Sequence, residues 1–181
     1  MAASVTADYY GGAATEPAGT DATTGIMFNR EDSQKGTLTI PIPQVSPNTY
    51  YSWYKQVALA ITVTDPVTSL GNRSIKLGTN VTLATGVKLY FMSAPAYRQS
   101  TTASMPPNAT ANGATPTDPN GDGTYAAITV AAQVYDGQVV PSANGGRNGN
   151  FCRLVFAVDG NYTGGAGQLT LPNIIMGYDE S

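Results

Sequence analysis

Asp118, Asn120 and Asp122 stand at the first, third and fifth places of a loop with Gly123 at the sixth. A calcium loop begins this way, with oxygen ligands on alternate residues and a glycine at the sharp turn. The twelfth place, where such a loop supplies a bidentate glutamate, is Thr129. A hard cation would lack its most charged ligand, so Asp118, Asn120 and Asp122 read first as a turn cluster held by local backbone bonding. Other chemistry is short of partners. The chain has no histidine and one cysteine, Cys152, so neither a thiolate nor a serine has an imidazole to activate it. Cys152 alternates with Leu154 and Phe156 and is expected to be an inert core thiol. No Gly-x-Ser-x-Gly elbow occurs. Carboxylate pairs alone can hydrolyse glycosides or peptides. Here, however, Asp65-Pro66, Asp118-Pro119, Asp122-Gly123, Asp136-Gly137 and Asp159-Gly160 are turn contexts. No catalytic residue, cofactor or dedicated metal site is expected.

Composition supports that reading. Only 12% of the residues are charged, while Gly and Pro number 20 and 12. Exposed helices are built from Glu and Lys, which are scarce, so sheets and turns are the alternative. The net charge is −3 and no Lys/Arg cluster exists to neutralise phosphates, which argues against direct nucleic-acid binding. One cysteine allows no internal disulfide. No segment has the length or flanks of a membrane span or secretory leader, so synthesis in a host cytoplasm and no membrane partner are expected. With 181 residues and 41% hydrophobic content, one core is the default.

The elements that must position these residues are strands. Residues 1–35 are rich in Gly and Ala and poor in large aliphatics, which predicts an extended N-terminal arm with Tyr9, Tyr10, Ile26, Met27 and Phe28 as anchors. Residues 37–43 alternate Leu38, Ile40 and Ile42 with Pro41 and Pro43, the pattern of an edge strand. Residues 50–64 alternate almost without interruption and predict one long strand. Asp65-Pro66 and Gly71-Asn72 predict turns. Residues 81–84 and 87–92, split by Gly86, predict a single bent strand. Residues 93–124 form a long polar loop of the kind that is either functional or disordered. Strands resume over 125–135, with Ile128, Val130, Ala132 and Val134 on one face. They continue over 151–158 after a Gly/Asn loop, and over 168–176 with Leu169, Leu171 and Ile175 in step. The expected fold is all-β: a single-domain β-sandwich over 36–181, jelly-roll or immunoglobulin-like, with the arm at 1–35.

Aromatics at Tyr50, Tyr51, Trp53 and Tyr54 would occupy both faces of the long strand, one for the core and one for a neighbour. The expected interface is therefore Tyr9, Tyr10, Ile26, Phe28, Tyr50, Trp53 and Tyr54. Together these features predict a non-enzymatic virion structural protein, a capsid-decorating, coat or spike subunit of the kind bacteriophages use. Its expected partners are other copies of itself and a major capsid or shell protein. The alternative is a surface or secreted carbohydrate-binding or adhesive sandwich that stacks sugars on Trp53.

Overall fold

The computed structural model describes residues 4–34, 42, 47–62, 70–138, 147–164 and 173–180. The fold is an all-β sandwich. Strands run in the order β1 (Ser4–Tyr10), β2 (Thr20–Asp21), β3 (Tyr50–Tyr51), β4 (Lys55–Thr62), β5 (Leu70–Leu77), β6 (Val87–Ala94), β7 (Ala126–Ala127), β8 (Gln133–Asp136), β9 (Arg147–Val158) and β10 (Ile174–Glu180). A 7-stranded sheet has the order β2-β1-β4-β9-β6-β7, with β3 joining β9 beyond the end of β4. A 3-stranded sheet has the order β10-β5-β8. The pairings are antiparallel.

The spine is β9, whose sequence is apolar on both faces, as a strand covered on both sides must be. Cys152, Leu154, Phe156 and Val158 join Val57, Leu89 and Phe91 in an inner layer closed by Ile75, Leu77 and Tyr135 of the small sheet. Phe151, Val155 and Ala157 point the other way, into an outer layer with Tyr10, Tyr51, Tyr54, Tyr90 and Met92. The large sheet thus has a core on each face. The second is closed by the long loop between β6 and β7.

Several elements differ from the sequence expectation for identifiable reasons. Residues 50–64 do not form one strand. β3 pairs Tyr51 with Ala157, whereas β4 pairs Lys55 with Leu154, so one extra residue is inserted between them. That insertion reverses the side-chain alternation and puts Tyr51 and Tyr54 in the same outer layer. Ser52 takes up the slack: its N–H donates to the Phe156 carbonyl at 2.8 Å and its Oγ accepts from the Phe156 N–H at 3.0 Å.

Residues 125–135 split as well. β7 lies on the large sheet and β8 on the small one, and the chain crosses between them. Ile128 and Tyr135 enter the core, while Val130 and Val134 are exposed. The break follows from changing sheets, which alternation alone does not encode. Residues 147–150, expected as loop, begin β9. Gly71-Asn72, expected as a turn, lies inside β5, with Asn72 at φ 42°. Residues 81–84 are irregular, and Gly86 at φ 78° makes the turn into β6. A β-carbon on Gly86 would lie 2.3 Å from the Tyr162 nitrogen. In β10 it is Ile174 and Met176 that pack on the core, so Ile175 faces outward. The expected strand at 37–43 lies outside the described residues apart from Ile42, as do Asp65-Pro66, Leu169 and Leu171.

The segment expected as an arm is built into this chain's own sheet. β1 pairs with β4 along its whole length, from Ser4 opposite Thr62 to Tyr10 opposite Gln56. Tyr9 and Tyr10 are buried there. Beyond β1 lies only β2 among the described residues, and it pairs just with Asp8 and Tyr9.

Candidate functional site

The long loop is ordered by side chains projecting from the outer layer of the large sheet. A segment without strand or helix leaves carbonyl oxygens that must find donors. Tyrosine hydroxyls supply several of them. Tyr51 donates to the Ala114 carbonyl at 2.8 Å, and Tyr54 reaches the Arg98 and Gln99 carbonyls, each at 3.0 Å. Gln56 Nε2 also donates to the Arg98 carbonyl, at 2.7 Å. Thr49 pairs with Ala109 as an isolated bridge. Each buried ring thus contributes apolar area at one end and a donor at the other. Burial pushes the Tyr51 hydroxyl up to about 12, with the neighbouring Tyr90 adding to the shift, so it stays a donor at physiological pH.

Asp122 fastens the loop from below. Its carboxylate accepts from Arg153 Nη1 at 2.6 Å and from Arg98 Nε and Nη2 at 3.1 and 3.2 Å. Arg153 is buried and also donates to Gln56 Oε1 at 3.0 Å. Partial burial alone would raise Asp122, but hydrogen bonds and charge from both guanidiniums outweigh it and hold the carboxyl below the usual carboxylate range. The loop at Asp118, Asn120 and Asp122 is built as a turn cluster tied to two guanidiniums. Asp122 faces two cations, and Asp118 closes a local turn by accepting from the Asp122 N–H at 2.6 Å and from Asn120 Nδ2 at 3.2 Å. Among the described residues no group of His, Cys, Asp and Glu side chains could hold a metal ion. A groove of about 450 Å³ beside the loop is lined by Tyr97, Arg98, Thr101, Ser104 and Asn120. Its one charged group, Arg98, is already paired with Asp122.

Two further ionic clusters lie inside the sandwich. Arg73 of β5 and Asp136 of β8 form an ion pair at 2.5 Å with both side chains buried. The Asp136 carboxylate also accepts from the backbone N–H groups of Asn150 and Gln138, at 2.7 and 3.0 Å. Burial opposes its ionisation, but these two amides and the Arg73 guanidinium hold it below the usual range. Gly149 lies against the pair at φ 72°, and a β-carbon there would lie 2.3 Å from the Arg73 guanidinium carbon. Lys55, at the start of β4, is 0% exposed. Its ammonium donates to Asn29 Oδ1 at 3.0 Å, to the Ser33 carbonyl at 2.9 Å and to the Glu31 carbonyl. Burial lowers its pKa to about 8, against the opposing charges of Asp32 and Glu31.

The expected interface residues mostly complete this chain's own cores. Tyr9 is buried and donates to Asp32 Oδ1 at 3.2 Å. Tyr10 meets Phe151 edge to face at 5.2 Å, and Tyr54 lies beneath the loop. Ile26 and Phe28 pack on the inner core. Tyr50 and Trp53 keep part of their surface in solvent. The anchors are real, but what they anchor is local. Cys152 is buried as expected, and burial pushes its thiol well above the normal range. Sequence reasoning missed the partners of Lys55, Arg73 and Arg153, because none lies near its partner in the chain. A lysine and two arginines within apolar strand patterns were the only available signal. Comparison with protein-family models, curated proteins and solved structures returns no match for this chain.

Proposed function

We propose that this chain is a non-enzymatic structural subunit of a virion, a capsid-decorating, coat or spike protein that assembles symmetrically with its own copies and with a shell protein. The observation that carries the reading is the outward face of the small sheet. Val134 of β8 and Ile175 of β10, the two strands that flank β5, are 58% and 40% exposed, and Val130, in the segment that leads into β8, is 56% exposed. Between them on β5 are Ser74 and Lys76, and Gly177 of β10 lies opposite Ser74. That face carries Val134, Ile175, Ser74 and Gly177 with Lys76 and, at one end, Asp179 bonded to Asn72 at 2.7 Å, while Arg73, Arg153, Asp122 and Asp136 are spent on internal ion pairs. An antiparallel face with exposed apolar side chains suits an isologous contact, where one patch meets its own symmetry mate.

The sandwich supplies the rigidity that a lattice needs, with both faces of its large sheet covered. The carbohydrate reading has less support. Tyr51 and Tyr54 are roofed by the loop, which leaves only Trp53 and Tyr50 as a stacking platform. Electron microscopy of the concentrated protein tests the proposal. Closed particles of defined symmetry are expected. Dispersed single subunits at every concentration, with binding to a glycan surface, would replace this reading with the adhesive one.

A further inference from the structure

We infer that Lys55 and Asn29 form an intramolecular isopeptide bond, with Glu31 as the proton carrier. The inference stands apart from the virion reading, since it concerns only this chain's interior. Lys55 and Asn29 are 0% and 3% exposed, so the reacting groups are held together in a site that excludes water. Lys55 Nζ lies 3.0 Å from Asn29 Oδ1, the oxygen of the amide whose carbon the amine would attack. The Asn29 backbone is pinned through its carbonyl, which accepts from the Trp53 N–H at 3.0 Å. Glu31 Oε2 accepts from Asn29 Nδ2 at 3.3 Å, against the group that must leave. Asp32 is occupied elsewhere, accepting from Tyr9 and from the Gly12 N–H. Fixed proximity of this kind converts a slow amide exchange into an intramolecular one.

A neutral amine has two N–H bonds and one lone pair. The Glu31 and Ser33 carbonyls can hold the two N–H groups, which turns the lone pair toward Asn29. The amine is the nucleophile, and desolvation makes its neutral form accessible. Glu31 and Asp32, on the strap formed by residues 29–33, are the carboxylates whose charge acts on it. The lone pair of Nζ forms a bond to Asn29 Cγ. Glu31 takes a proton from Nζ and delivers it to Nδ2, the Cγ–Nδ2 bond breaks, and ammonia departs. Glu31 ends as it began, and no oxidant or energy source is consumed. The product staples the strap at 29–33 to β4.

Mass spectrometry of the wild-type chain decides it. Incubation in alkaline buffer above the amine pKa should leave the protein lighter than its sequence by one ammonia. Trypsin should then yield a branched species joining residues 1–30 to 36–73, because modified Lys55 resists cleavage. Glu31→Gln should fold with an unchanged circular-dichroism spectrum and react about a hundredfold more slowly, and Lys55→Arg and Asn29→Ala should retain full mass. A full-mass wild-type chain with linear peptides on either side of Lys55 overturns the inference. So does ammonia loss that maps only to succinimides at the Asn-Gly steps, Asn112, Asn120, Asn144 and Asn148.

Discussion

Replacing Asp136 by asparagine should be among the most damaging isosteric changes in this molecule. The substitution preserves shape but removes the charge facing Arg73, whose side chain is fully buried. One asparagine oxygen can still accept, so the amide nitrogen must take the place of the other oxygen. If the nitrogen sits at Oδ1 it faces the Gln138 N–H, and at Oδ2 it faces Asn150 and Arg73. Either way a donor meets a donor beside a guanidinium that has lost its counter-charge, although the Gln138 carbonyl still accepts from it at 2.9 Å. Breaking one side of a buried pair costs about 3 to 5 kcal/mol, which lowers the melting temperature of a domain this size by about 10 °C. The pH dependence has a definite sign. The Asp136 carboxyl is held below its usual range in the fold, so its contribution is complete above the ordinary carboxylate value, about 4, and is lost as pH falls through the folded value. Urea unfolding followed by tyrosine and tryptophan fluorescence, at neutral and acid pH, measures both. Wild type and variant should differ at neutral pH and converge in acid. A neutral-pH difference below about 1 kcal/mol, or one that persists unchanged in acid, would refute the reasoning.

Three other outcomes follow from the same geometry. Gly149→Ala adds a methyl group against Arg73 at a positive φ and should cost about 2 kcal/mol or more. In an Arg73→Met background the same change should cost only the backbone strain, which a double-mutant cycle in urea resolves. Asp122→Ala frees Arg98 and leaves Arg153 buried without its carboxylate. It should cost about 3 kcal/mol and speed tryptic cleavage after Arg98, as followed by timed digestion. Val130→Thr, Val134→Thr and Ile175→Thr combined should leave stability within about 0.5 kcal/mol while abolishing self-association by light scattering.

The sandwich was legible where strands are covered on both sides. Residues 87–92 and 151–158 are apolar on both faces apart from Lys88 and Arg153, and they became β6 and the spine β9. The inert environment of Cys152 was readable for the same reason. What was not legible depends on single insertions or on distant partners. One extra residue near Trp53 reversed the alternation of an otherwise regular run, and period-two counting has no mark for it. The loop after β6 read as structureless because its own residues offer no pattern. Its order comes from hydroxyls on Tyr51 and Tyr54, far away in the chain. Asp118, Asn120 and Asp122 resembled a cation loop because turn residues and calcium ligands are the same residue types. The charges of Arg98 and Arg153 decided which they became. The inner arrangement of Lys55 with Asn29 joins residues whose relation no local spacing announces.

The central claim is that this chain acts through contact between copies across the small sheet. Sedimentation velocity over a wide concentration range tests it most directly. The account predicts discrete species that grow with concentration and collapse to monomer in the triple-threonine variant. A single monomeric boundary for the wild type throughout, or oligomers indifferent to Val130, Val134 and Ile175, would contradict it.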